Sequence, residues 1–441
     1  MQGSKTAKDM QTSLRGIANR ARIDRKHRFR SLYTLLNTAN LKWSFQQLRK
    51  DAAPGVDRVT FQEYERELEA NLEGLVERLK QKRYRAKLVR RKNIPKGPGK
   101  IRPLGIPALE DKILQMAVAR ILESIHEQDF LEISWGYRPG KGPQEASRAL
   151  ADRLFGGKYN WVVEADIRGF FEHIDHDWMI RMLQQRIDDE ALLRLIRKWL
   201  KAGILEEDGR VLHPAAGTPQ GGVVSPVLAN IYLHYVLDLW FNEVVKKQCR
   251  GAAEMMRFAD DFVVAFQNQE EAENFLRELP GRLAKFGLEV AEEKSGIVRF
   301  GRNTGSNGAF DFLGFRFYWT KTRQGKPVVK RMTAPKKMRQ SVERFTEWIK
   351  AERHQKIRPL MTKLSRKLKG YWNYYGVLGN FQSLAKFWRQ VMRVLYKWLN
   401  RRSQKSSYNW AGFNKLLEAF ALPGPCIVES RQRQMQWNWK L

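Results

Sequence analysis

Apolar residues recur along this chain at two spacings. In residues 111–127, Ile113, Leu114, Ala117, Ile121 and Ile125 fall on one helical face, as do Leu192, Leu195, Ile196 and Trp199 in residues 191–200. Leu360, Leu364, Leu368 and Tyr371, then Leu384, Phe387, Trp388, Val391, Leu395 and Trp398, mark two more helices. Among these helices lie short β-prone runs at 161–167, 256–266 and 310–317, and these strands carry the unusual polar residues. Helices that look like packing, around strands that carry polar groups, predict an α+β domain whose sheet displays a site. The last stretch, 336–441, predicts a separate all-α domain. Pro95-Lys96-Gly97-Pro98-Gly99 and the glycine-rich stretch from Gly301 to Gly308 are expected as loops.

Composition narrows the class. No apolar run reaches the roughly 18 residues of a membrane span, so no membrane partner is expected. There is no apolar signal-peptide core either. The Arg-rich residues 1–30 are expected to be a basic arm, unfolded until it meets RNA. Asp9 and Asp24 argue against an organelle transit segment. Cys249 and Cys426 are the two cysteines, too few for a zinc site or a disulfide framework, which suits a reducing interior. The formal charge of +33 calls for a polyanion. It does not by itself separate an enzyme from a ribosomal or anionic-surface binder. Of the basic residues, 23 fall in 336–441 against 5 acidic ones, and no acid lies between Glu352 and Glu418. Arg366, Lys367, Lys369, Arg389, Arg393, Arg401 and Arg402 are the expected phosphate contacts, on faces opposite an aromatic core.

Candidate chemistry lies in three segments. Asp260 and Asp261 sit between apolar, β-prone residues, and a tight turn between two short strands would let both carboxylates reach one site. Trp161-Val162-Val163-Glu164-Ala165-Asp166-Ile167 reads as a strand ending in Asp166. Buried carboxylates need a cation, and oxygen ligands suit magnesium. Two strands with three carboxylates can therefore build a two-metal phosphoryl-transfer site. The third segment, Gly217 to Tyr232, has a glycine pair for close backbone approach and Ser225-Pro226 at a helix start. His173 and His176 form an HxxH without further ligands and read as structural.

In this order, the segments resemble the group II intron reverse transcriptase/maturase family. Its boxes stand here as Asp166-Ile167-Arg168-Gly169-Phe170-Phe171, Pro219 through Asn230, and Phe258-Ala259-Asp260-Asp261. Upstream blocks match at Pro54-Gly55-Val56-Asp57, at Ile94-Pro95-Lys96 with Ile101 through Pro107, and at Trp135 through Gly140. Phe312-Leu313-Gly314-Phe315 looks like the primer-grip hairpin, and Gly370 through Tyr375 resembles the thumb, or maturase, domain. The likeness implies a right-hand polymerase, with fingers and palm over 31–335 and a helical thumb with a short basic tail over 336–441. It implies two Mg2+ ions on Asp166, Asp260 and Asp261, helped by the carbonyl of Ile167. It assigns the incoming dNTP to Lys96, Arg102, Gln220 and Phe171, the last as a sugar gate, and gives Lys294 a general-acid role. Adjacent glutamates offer Lys294 a salt bridge instead.

The expected partners are an RNA template, the intron RNA, a DNA primer or target, and dNTPs. The expected setting is the bacterial cytoplasm, near the nucleoid. A homodimer is left open. Phe258 stands where the family more often has Tyr, and no HNH-type endonuclease is expected. The alternatives are a related bacterial reverse transcriptase in defence or repair, an RNA-binding splicing factor without polymerase activity, and an RNA-templated RNA polymerase.

Overall fold

The structure, a computed structural model, describes residues 2–97, 100–302, 308–402 and 407–429, without the side chains of 2–12, 96, 97 and 100. The basic start of the chain is not an unfolded arm but helix α1 (Gln2–Ile23). Leu14 and Ala21 are buried in the main core and Ile17 packs against it. Arg186 Nη2 donates to the Ala21 carbonyl at 3.0 Å. Three small or apolar residues at helical spacing among many basic ones make a stripe too sparse to read from sequence.

Helices α2 (Thr38–Gln46), α3 (Phe61–Arg66) and α4 (Leu68–Lys80) follow, the second opened by a reciprocal Thr60–Glu63 capping box. A long hairpin then projects, β1 (Val89–Gly97) against β2 (Lys100–Ile106). The Pro-Gly stretch expected as a loop therefore belongs to this hairpin as far as Gly97. Pro95 pairs with Ile101, and the register slips between Pro95 and Gly97. Next come α5 (Leu109–His126), α6 (Pro143–Gly156), β3 (Trp161–Ala165), α7 (His176–Leu183) and α8 (Glu190–Leu200). The short strands β4 (Ile204–Leu205) and β5 (Val211–Leu212) complete a sheet of order β2-β1-β4-β5.

Helix α9 (Ser225–Leu233) runs through π-helical turns at His234–Asp238 and Phe241–Val245 into α10 (Lys246–Gln248). The central sheet is built from β6 (Ala253–Phe258), β7 (Asp261–Phe266) and, after α11 (Gln269–Ala284), β8 (Gly296–Arg299), in the order β6-β7-β3-β8. Its strands alternate between two cores. Val163, Ala165, Phe262, Val264 and Phe266 enter the main core, while Val162, Val263 and Ala265 face a second one with Phe310, Phe315 and Phe317. That second face is covered by α6 and by the sheet of β9 (Ala309–Phe312), β10 (Phe315–Lys321) and β11 (Pro327–Thr333). The chain is helical from there on, with α12 (Pro335–Glu352), α13 (Ile357–Tyr375), α14 (Phe381–Leu399) and α15 (Trp410–Ala419) around their own aromatic core. Among the described residues, no helix is long and apolar enough to cross a membrane.

Candidate active site

Strand register brings the carboxylates together. β3 and β7 are antiparallel, with Val163 opposite Val264 and Ala165 opposite Phe262. Continued one step past the ladder's end, that register sets Asp166 opposite Asp261. Directly opposed residues face the same side of a sheet. Asp260 occupies the two-residue hairpin loop between β6 and β7, where Phe258 pairs with Asp261. The loop's first residue, Ala259, has φ 57°, a left-handed conformation usually left to glycine.

An arginine holds that turn. Arg257 is wholly buried, and its guanidinium meets Asp238 through Nε at 2.6 Å and Nη2 at 2.5 Å. Its remaining donors reach Ser134 Oγ at 2.7 Å, Asn230 Oδ1 at 3.1 Å and the Ala259 carbonyl at 3.0 Å. Asn230 Nδ2 donates to the Gly136 carbonyl at 2.7 Å. Gly136 lies so close to the turn that a Cβ there would stand 2.3 Å from Ala259 N. Three sequence boxes are thus one hydrogen-bonded unit. Neither Arg257 nor Asp238 was singled out from the sequence, although a charged residue between Met256 and Phe258 in an apolar strand signals a buried partner.

The other candidates gather around this point. Phe171 is half-buried, its ring edge-on to Phe170 at 5.2 Å, and its carbonyl accepts from Thr218 N at 2.7 Å. That bond ties it to the loop bearing Gln220. The Gln220 carbonyl in turn accepts from Gly105 N of β2 at 2.6 Å. Arg102 is exposed on β2. The side chain of Lys96 lies outside the described residues. Tyr137, also left-handed at φ 57°, lines one cavity with Asp260 and Asp261. Burial and then Asp260 push its phenol's pKa up, with Arg102 opposing. Lys294 pairs with Asp166 rather than with its neighbouring glutamates, and Glu293 is taken by Arg168 at 3.1 Å. Ile167 has a buried side chain and bridges to Val290. His176 Nε2 bonds the Gly217 carbonyl at 2.7 Å and His173 Nδ1 the Gly169 carbonyl at 2.9 Å, both structural contacts.

A cavity of about 720 Å³ opens in front of Asp260 and Asp261. Its lining also includes Lys336, Lys337 and Arg344 of α12, with Leu313, Gly314, Tyr374 and Tyr375. Acidic and basic side chains thus line the same cavity. On the helical part beyond, Arg366, Lys367, Lys369, Arg389, Arg393 and Arg401 are exposed. Arg402 is half-buried, and its Nε and Nη2 have no hydrogen-bond partner among the described residues.

Three carboxylates offer the hard oxygen donors that divalent metal ions take. Among the described residues, no three acidic, His or Cys side chains stand close enough to enclose an ion as they are now placed. Asp166 is engaged by Lys294 instead. The fit lies in the donor set and in its electrostatics. The Asp261 carboxyl, although open to the cleft, is pushed up to about 6 by burial, then by Asp260 and Asp166, against Lys337 and Lys294. From an ordinary value of 3.8, the folded state therefore binds this proton more tightly than the unfolded one. Stability falls as pH rises through that window and stays lower above it. With divalent ions chelated, Asp261→Asn is expected to raise Tm at pH 7.5 by roughly 1–3 °C, a gain that fades below about pH 4. A lower Tm for the variant in calorimetry at neutral pH would contradict this crowding of like charges.

The family model for reverse transcriptase (RNA-dependent DNA polymerase) matches residues 94–317. The chain belongs to the reverse transcriptase family. Group II intron-encoded protein LtrA of Lactococcus lactis subsp. cremoris is 31% identical over 403 residues, covering 72% of this chain and 65% of LtrA. The chain thus spans just under two thirds of that relative. Protein YkfC of Escherichia coli (strain K12) is 32% identical over 305 residues, 62% of this chain and 77% of YkfC. An uncharacterized 91 kDa protein in the cob intron of Schizosaccharomyces pombe is 39% identical over 163 residues, 37% of this chain and 20% of that protein.

Proposed function

We propose that this protein is an RNA-directed DNA polymerase that also binds the RNA of a parent group II intron and assists its splicing and mobility. The observation that carries the reading is the register that sets Asp166 opposite Asp261, with Asp260 in the adjoining turn. These three carboxylates, with the Ile167 carbonyl, would hold two Mg2+ ions. When bound, such ions supply charge neutralisation at the attacking 3′-hydroxyl and the departing pyrophosphate. The protein's own part is positioning. Lys96 and Arg102 hold the triphosphate from the β1–β2 hairpin. Phe171 closes the space a ribose 2′-hydroxyl would need. Gln220 is fixed beside β2 by its carbonyl and orients nucleotide or template. Lys294 is the candidate proton donor to pyrophosphate. The cavity under α12 would take the primer end, with its phosphates on Lys336, Lys337 and Arg344.

We assign residues 31–335 to fingers and palm and 336–441 to the thumb, whose exposed cations would bind intron RNA by phosphate contacts. The two bacterial relatives support a bacterial cytoplasmic setting. The test is primer extension on an RNA template with Mg2+, comparing dNTPs with NTPs. Extension with dNTPs is the expected result. Tight RNA binding without extension would favour a splicing factor that keeps the fold alone, and preference for NTPs would favour an RNA polymerase. For the thumb, the double substitution Arg389→Ala and Arg393→Ala is expected to lower the slope of log affinity against log salt by about 2. An unchanged slope would remove the pair from the interface.

A further inference from the structure

A second cavity of about 720 Å³ lies away from the aspartates, between α4, α8 and the 3-10 turn Leu32–Leu35, and shares no lining residue with the first. Its floor is apolar, formed by Leu36, Val76, Leu79 and Leu195. Tyr33 makes one wall, pinned by its hydroxyl to the Leu79 carbonyl at 3.2 Å and by its amide to Asp189 Oδ2 at 2.8 Å. Half-buried, the ring is a rigid platform and not a mobile side chain. The rim carries Lys80, Lys82 and Arg194, all exposed. No Asp or Glu lines the space. Asp189, which holds the Tyr33 amide with Oδ2, caps α8 with Oδ1 by accepting from Leu192 N at 3.1 Å, and does not line the space. Lys198, also at the edge, is already committed to the Tyr84 carbonyl at 2.6 Å.

An apolar pocket with one aromatic wall and an all-cationic rim matches a flat apolar body flanked by negative charge. Pockets of about 300–1,000 Å³ hold ligands of nucleotide size. A paired duplex keeps its bases stacked inside and offers phosphates only, so it would use the rim and leave the floor empty. A single-stranded loop can extrude a base against Tyr33 while its backbone meets the cations. We infer that this cleft is a second RNA-docking site, which takes an unstacked nucleobase from a single-stranded loop with the adjoining phosphates on Lys80, Lys82 and Arg194. The inference rests on the RNA-binding part of the function proposed above, and not on the polymerase chemistry.

The test is photo-crosslinking of a single-stranded RNA of about eight nucleotides carrying 4-thiouridine, a length within the usual single-strand site sizes. The full chain is first loaded with a template–primer hybrid to fill the cavity at the aspartates. Crosslinks are expected in the peptides bearing Tyr33 or Lys80 and Lys82. Ala191→Trp, which fills the cleft, and Arg194→Glu, an exposed change that spares the fold, should each cut the yield about tenfold. Both should leave primer extension near the wild-type rate. Unlabelled single-stranded RNA should compete, and duplex RNA of equal length should not. Absence of crosslinks in these peptides, or equal yields in both variants, would overturn the site. Equal competition by duplex would reduce it to a basic surface with no base pocket. A protein that crosslinks here yet extends no primer would keep this site and sink the polymerase reading, so the two fail separately.

Discussion

Asp260→Ala is expected to abolish DNA synthesis while RNA affinity stays nearly unchanged. Asp260 stands in the hairpin loop joining β6 to β7, beside Asp261 and close to the end of β3. Alanine there removes one of three anionic donors from a site whose proposed chemistry depends on concentrated negative charge. Interactions of this kind are worth several kcal/mol in the transition state, so single-turnover extension should fall at least about a thousandfold. The fold should tolerate the change. The turn is held by Arg257 through the Ala259 carbonyl, and loss of a like charge relieves Asp261. The cations proposed to hold RNA lie on other elements, so affinity measured by titration should change by less than about twofold. Extension within tenfold of wild type would falsify the assignment of Asp260, and a parallel collapse of RNA binding would show that the variant has misfolded instead.

How much of this was legible in the sequence depended on how local the signal was. The helices at 111–127, 191–200 and the pair in 336–441 declared themselves because each buries one stripe, and they stand as α5, α8, α13 and α14. The run at 256–266 carried no clean alternation because Phe262, Val264 and Phe266 enter one core while Val263 and Ala265 enter another. The carboxylates inside it still demanded a turn, and β6 and β7 meet there. What stayed hidden was set by partners far along the chain. The β1–β2 hairpin finds its third strand at Ile204–Leu205, more than a hundred residues later. Lys294 finds Asp166 across β3 rather than Glu293 beside it. Nothing in the residue Ala259 announces a positive φ, because alanine is not the residue that prefers one. That conformation is imposed from outside.

The outside agent is Arg257, and its removal is the second large effect. Arg257→Met leaves Asp238, which is wholly buried, without its counter-charge. Breaking a buried pair from one side costs about 3–5 kcal/mol, a large share of the stability of a domain of this kind. Stability alone does not separate a positioning role from a packing one, but a second substitution does. In the double variant Arg257→Met with Asp238→Leu, both charges are gone and apolar side chains fill the space, so most of the lost stability should return. Activity should not. The Ala259 carbonyl and Asn230 Oδ1 still lack the donor that reached them at 3.0 and 3.1 Å, where the left-handed Ala259 lies against Gly136. Denaturant unfolding and primer extension, measured on the same preparations, read the two quantities independently. A double variant that regains stability but remains at least about tenfold slower than wild type identifies Arg257 as the residue that aims Asp260 and Asp261. Recovery of both together would mean that the guanidinium only fills the core, and that the turn keeps its shape from the strands alone.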